Sequence, residues 1–415
     1  MDLLTPVLQS YPWGSRTHLA ELTGAATPSS KPWAELWFGA HPLASATIAG
    51  RDLDQVIAAD PEAALGERGS ADTALPFLLK LLAAAEPLSL QAHPTLAEAQ
   101  EGFAREEEQG IAPTAHFRNY RDSNHKPELI VALTEFHALA GFRPVARTKE
   151  LFAQLNIEQL DHYLGLLDAA DEDSGLRALF TTWLTLPQGA LDRLIDAVAR
   201  ACAAFTGTDA EFARVAHTTV ELARKYPSDP GVLGAMLLNR LCLKPGEAIF
   251  LGAGQLHAYL SGMGVEIMAN SDNVLRGGLT SKHVDVVELL RVLSFAPLQD
   301  PVLHARDGRD GWRVFPAPVS EFELRTRALD ATAVPLAAKG AAIVLVTSGS
   351  AVLQQGEQEL EVPRGHAAWV PANEVAQTFM RKSAATAATA AVTGAESVSG
   401  AADEATEIFV ASAPQ

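Results

Sequence analysis

The period of the apolar positions changes along the chain, and the changes mark its organisation. From residue 1 to about 140, short apolar runs such as 129–133 lie between Pro, Gly and Asn turns, which predicts strands with helices interspersed. One helix is predicted to start at Thr95, where Thr95-Leu96-Ala97-Glu98 reads as a capping box, with Leu96, Ala99 and Phe103 on one face. From about 145 to 240 the spacing becomes helical. Leu160, Tyr163, Leu164 and Leu167 fall at i, i+3, i+4, i+7, and Leu191, Leu194, Ile195, Val198, Cys202 and Phe205 continue the stripe. Strands return from about 241, with a turn at 244–247 and a strand at 248–251. From about 301 the chain reads as all β: 342–346, a turn at 347–350, 351–354, a strand through Trp369 and Val370, and a last strand at 407–410. Residues 383–406, rich in Ala, Thr, Ser and Gly, have too little apolar surface to join a core and read as a mobile surface insertion.

Composition narrows the class. With 415 residues, at roughly 100–200 per domain, two to four domains are expected. A formal charge of −18 argues against wholesale nucleic-acid binding, while saying nothing about the sign of any one pocket. Two cysteines, Cys202 and Cys242, are too few for a disulfide framework. The first residues lack the basic and apolar regions of a signal peptide, and no apolar run is long enough to span a membrane. A cytoplasmic protein is expected.

Four stretches carry candidate chemistry. In Gln91-Ala92-His93-Pro94, an amide oxygen and an imidazole two residues apart would converge on one side of a strand; a polar strand end is the plainer alternative. In Asn124-His125-Lys126-Pro127-Glu128, Lys126 and Glu128 would share a face, unless the segment is a solvated charged loop. His257 follows the permissive backbone of Gly252 and Gly254, and a structural histidine is the competing reading. The run 264–280 holds a turn-like cluster, 270–273, and Arg276-Gly277-Gly278, which fits either an anion clamp or a solvated loop. Together Gln91, His93, Glu128 and His257 offer two imidazoles, a carboxylate and an amide oxygen, a set that suits Zn²⁺ with an open position.

These stretches, with Tyr11-Pro12-Trp13-Gly14, Ala34-Glu35-Leu36-Trp37-Phe38-Gly39-Ala40-His41-Pro42, Gly141-Phe142-Arg143-Pro144 and the run from Gln255 to His283, resemble type I mannose-6-phosphate isomerases (phosphomannose isomerases), a zinc-dependent cupin family. The resemblance covers residues 1–300 by motif and the remainder by architecture. It implies a mainly β fold with α: a cupin-like jelly-roll catalytic domain at 1–144 and 241–300, an inserted α-helical domain at 145–240, and a second cupin-like β domain at 301–415.

The resemblance also implies one Zn²⁺ per chain held by Gln91, His93, Glu128 and His257, with Arg276 as an active-site arginine. Ser89 and Lys282 match positions near the substrate phosphate, and Lys126, Glu266 and Asp272 match residues lining the pocket. Ser281 departs from the family, many members of which have proline there. The implied reaction interconverts mannose 6-phosphate and fructose 6-phosphate through a cis-enediol, with the metal as Lewis acid. Lys126, Glu266 and a metal-bound water remain rival bases. A monomer acting on a sugar phosphate, with no nucleic-acid or membrane partner, is expected. The alternative is a non-catalytic sugar-phosphate-binding cupin protein. An oxygenase-type cupin would call for a His-x-His set in the C-terminal region, where His366 has no histidine two residues away.

Overall fold

The computed structural model describes residues 1–70, 73–330, 332–336, 340–374, 378–381 and 405–414. Most of the predicted insertion at 383–406 therefore lies outside the described residues. Helix and strand take nearly equal shares, 31% and 32%, so the fold is mixed and rich in strands. The chain divides into two compact units, one of Met1–Ala83, Met263–Ala269 and His304–Gln415, the other of Ala84–Gly262 and Asn270–Leu303.

In the first unit an antiparallel seven-stranded sheet runs in the order Asp2–Leu4, Ala367–Val370, Ala342–Ser348, Thr406–Ser412, Glu323–Leu329, Arg313–Phe315, Arg306–Asp307. Alternate residues Ala342, Val344 and Val346 join Ile408 and Val410 in an apolar core, the period-2 pattern of a half-buried sheet. Ala351, Leu353 and Val362 of a second, four-stranded sheet complete that core. The turn expected at 347–350 is present, but it is not a hairpin. Ala342–Ser348 and Ser350–Gln355 belong to different sheets, and Gly349 (φ +68°) turns the chain from one to the other. A Cβ at Gly349 would lie 2.9 Å from the Thr406 backbone, so only glycine fits this corner. Strand Phe77–Ala84 is buried along its whole length, Lys80 included, which accounts for its continuous apolar run.

In the second unit, helices Val145–Leu155, Glu172–Leu184, Gln188–Ala203 and Ala210–Lys225 occupy the stretch of helical spacing. Asp171 and Asp209 cap two of them by accepting backbone amides. Leu191, Leu194, Ile195, Val198 and Cys202 are buried in one core, with Phe205 packed against it. The 160–167 stripe is broken into short turns, Glu158–Leu160, Asp161–Leu164 and Gly165–Asp168, although Leu160 and Leu167 are buried as their spacing predicts.

The capping box at Thr95 starts helix Leu96–Glu108 as expected, but of the predicted face only Ala99 is buried: Phe103 is half-buried and Leu96 is 42% exposed. The buried side is Ala99, Gly102 and Glu106. Gly102 lies under the Tyr120 ring, and Glu106 accepts the amides of Asn119 (3.1 Å) and Tyr120 (2.9 Å). Close approach and backbone hydrogen bonds, rather than an apolar stripe, seat this helix.

Candidate metal centre

Short antiparallel strands bring the candidates together. Gln91, in strand Leu90–Ala92, lies directly opposite His257 on one neighbouring strand and opposite Arg276 on the other. Directly opposed residues project from the same face of a sheet, so these three side chains share one side. Glu128 opens strand Glu128–Ala132, where Pro127 needs no ladder amide. The Gly254 amide donates to the His93 carbonyl (2.8 Å). Gly254 also sits in the left-handed region, where a Cβ would meet the Val292 carbonyl oxygen at 2.8 Å.

His93, Glu128 and His257 are buried, and their ligand atoms all lie within 4.8 Å of one another. His93 Nε2 is 3.5 Å from Glu128 Oε1, and His257 Nε2 is 3.4 Å from Glu128 Oε2. Each imidazole uses its other nitrogen on a backbone carbonyl, His93 Nδ1 on Asn273 (2.7 Å) and His257 Nδ1 on Gln255 (2.9 Å). A carbonyl only accepts, so both Nδ1 atoms carry the proton and both Nε2 lone pairs point inward.

His93 Nε2, His257 Nε2 and Glu128 Oε2 have no hydrogen-bond partner among the described residues. Each such buried atom costs about 1–3 kcal/mol when unsatisfied. A divalent cation satisfies all three, and the residues fit one.

Protonation agrees. Burial lowers the pKa of His93 against the pull of Glu128, which keeps the ring neutral. In Glu128 burial favours the neutral acid, but positive charge on His93, once that ring takes a proton, and on Lys126 outweighs it and holds the carboxyl well below the usual carboxylate range. The Lys126 ammonium stands 3.4 Å from Glu128 Oε1. A second His, Cys and carboxylate grouping, Glu135, His137 and Cys242, differs: both nitrogens of His137 are engaged, by Arg240 (3.2 Å) and Glu135 (3.1 Å).

A group of cations lies in the same unit. Burial lowers the pKa of Arg276, and the charge of Arg121 adds to it; Lys282 is lowered by burial and then by both arginines. None of the three has a carboxylate partner among the described residues, the electrostatics of an anion seat. Arg121 was not foreseen; the only signal was a cation immediately before Asp122-Ser123-Asn124. Ser89 is half-buried and precedes Leu90, which pairs with Gly278. The segment leading to Lys282 is clamped by Asp229, whose carboxylate accepts the amides of Gly231 (2.7 Å) and Thr280 (3.1 Å).

The 270–273 cluster is no solvated loop. Asn273 is fully buried; its Nδ2 donates to the carbonyls of Asp122 and Asn124 (both 2.8 Å), and its Oδ1 accepts the Arg121 amide (2.7 Å). The Asp272 amide donates to Asp122 Oδ2 (2.8 Å). Asn273 thus ties metal-ligand candidate His93 to the segment that precedes Lys126. Glu266 lies in the other unit, where its buried carboxylate pairs with Lys80 (3.0 Å) over the Trp37 ring. Lys80, hidden in an apolar run, was also missed.

Residues 1–145 match the family description "Phosphomannose isomerase type I, catalytic domain". The mannose-6-phosphate isomerase of Escherichia coli (strain K12) is 37% identical over 90% of this chain and 95% of its own length. The human mannose-6-phosphate isomerase is 32% identical over 89% and 93%. A crystal structure of mannose 6-phosphate isomerase bound with zinc and yttrium superposes with a TM-score of 0.87 at 33% identity, covering 100% of both chains. The apo form from Salmonella typhimurium gives 0.87 at 33% identity, covering 100% of this chain and 99% of that one. Identity of this extent, spread over nine-tenths of the chain, places the protein in the type I phosphomannose isomerase family.

Proposed function

We propose that the protein interconverts mannose 6-phosphate and fructose 6-phosphate. The observation that carries this reading is the buried trio of ligand atoms, His93 Nε2, His257 Nε2 and Glu128 Oε2, in the same unit as the cations Arg276, Lys282 and Arg121, none of them paired with a carboxylate among the described residues. One Zn²⁺ would be held by His93, Glu128, His257 and the amide oxygen of Gln91. When bound, it supplies a Lewis acid for the sugar's C1 and C2 oxygens.

The chain's own groups do the rest. Lys282 and Ser89 hold the phosphate, as point charge and hydroxyl, with Arg121 adding to the field. Arg276 stabilises negative charge developing on the enediolate oxygens. The proton leaves C2 and returns at C1; Lys126, beside the metal ligands, would take it as the free amine and give it back as the ammonium, and we favour it as base over Glu266, whose carboxylate is engaged by Lys80. Asp272 orders the loop that carries Asn273.

Strand pairing across the helical stretch, Leu90–Ala92 with His257 and Glu128–Ala132 with Glu247–Leu251, supports one cupin-like jelly-roll catalytic domain interrupted by a helical insert. We assign residues 301–415 to a second cupin-like domain. The protein is read as a cytoplasmic monomer; no helix among the described residues is long and apolar enough to cross a membrane.

The test is direct. Zinc-loaded protein incubated with fructose 6-phosphate is expected to form mannose 6-phosphate and to stop on chelation. Absence of product, or turnover indifferent to chelator, refutes the reading.

A further inference from the structure

The chain carries 50 acidic residues against 32 basic ones, yet one cavity reverses that balance. It measures about 960 Å³ and is lined by Arg214, Arg224, Lys225 and Arg240 against Glu86 and Glu221. Both carboxylates are already engaged, Glu86 by Lys225 and Glu221 by His217 (3.4 Å). Arg214, Arg224 and Arg240 have no carboxylate partner among the described residues. Arg240 is half-buried and its direct contacts are with neutral groups: its Nε donates to Thr218 Oγ1 (2.8 Å), and its Nη1 donates to the Leu241 carbonyl and lies against His137 Nδ1 (3.2 Å), while Glu221 and Glu135 act on it only from beyond ion-pair distance. Burial, against the pull of Cys242, Glu221 and Glu135 and with the neighbouring Arg214 charge adding to it, pushes Arg240 down to about 10. A half-buried cation with no carboxylate in contact is costly, and an anion in the cavity would relieve it.

We propose that this cavity binds a phosphorylated small molecule with an apolar body, of the nucleoside-diphosphate class. Three guanidiniums call for more than one negative charge, and each can grip phosphate oxygens bidentately. The volume falls within the roughly 300–1,000 Å³ of ligand pockets, well beyond what a lone phosphate fills. Leu222, Leu260 and Pro87 provide an apolar wall for a ring. None of these residues belongs to the metal centre or to its cation group, so the site is separate and the inference does not rest on the isomerase reading.

The test is calorimetric titration of adenosine 5′-diphosphate into the zinc-loaded full chain, with saturating mannose 6-phosphate present and adenosine as control. One equivalent is expected to bind, with adenosine weaker by about a hundredfold or more. The double variant Arg214→Ala/Arg224→Ala, which removes only exposed side chains, is expected to weaken binding about tenfold or more with unchanged melting temperature and zinc content. Arg240→Ala should do the same; because it also loses the Thr218 contact, the double variant decides if it fails to fold. No binding up to about 5 mM, binding indifferent to the arginine variants, or binding abolished by mannose 6-phosphate would overturn the proposal.

Discussion

His93 and His257 each spend one ring nitrogen on a backbone carbonyl, so the fold chooses their tautomer before any metal arrives. Removing a ligand and removing the adjacent ammonium should therefore separate. Glu128→Gln and His257→Ala are expected to lose zinc and turnover together, by metal analysis and assay. Lys126→Ala is expected to keep zinc and lose turnover by about 10²–10⁴-fold. Asn273→Asp places a carboxylate oxygen against the carbonyls of Asp122 and Asn124, and zinc affinity should fall about 10–100-fold in a chelator competition. The four ligand candidates were legible because their residue types are distinctive. Asn273, Arg121 and Lys80 were not, since their roles arise from contacts across more than a hundred residues or from burial within an apolar strand.

The helix–strand contact at Asp229 carries its own expectation. Gly231 and Gly278 pack backbone to backbone, where a Cβ on Gly278 would come within 2.6 Å of Gly231 Cα, and Asp229 bridges the two segments. Asp229→Ala should raise KM for the sugar phosphate about tenfold, with kcat little changed and zinc retained, because it frees the segment bearing Lys282. In the seven-stranded sheet, burial raises the pKa of Glu407 despite the Thr326 and Thr347 hydroxyls. The unfolded chain then loses this proton first, so stability falls as pH rises through the carboxylate range. Glu407→Gln is expected to raise the melting temperature at pH 7 and leave it unchanged at pH 4. Local signals at this scale were readable where the chemistry is local, as in the Thr95 capping box. They failed where the partner is remote: nothing near Leu96 says that Gly102 and Glu106 face Tyr120. Nor does the 347–350 turn reveal that its flanking strands join different sheets.

Across the whole molecule the acidic surplus bears on solubility and leaves room for local groups of cations such as Arg121, Arg276 and Lys282. The metal-ligand candidates all lie in the unit of Ala84–Gly262 and Asn270–Leu303. Chelation should therefore speed hydrogen exchange in Leu90–Ala92 and Glu128–Ala132 and leave the Ala342–Ser348 and Thr406–Ser412 ladder protected.

The strand order also bears on synthesis. Asp2–Leu4 is held by Ala367–Val370, and the neighbouring Ala342–Ser348 is held by Thr406–Ser412. A ribosome thus delivers the whole of Ala84–Gly262 and Asn270–Leu303 while Asp2–Leu4 still waits for its neighbour. The metal-binding half can take shape during translation, before the sheet that joins Asp2–Leu4 to Ala367–Val370 is able to close.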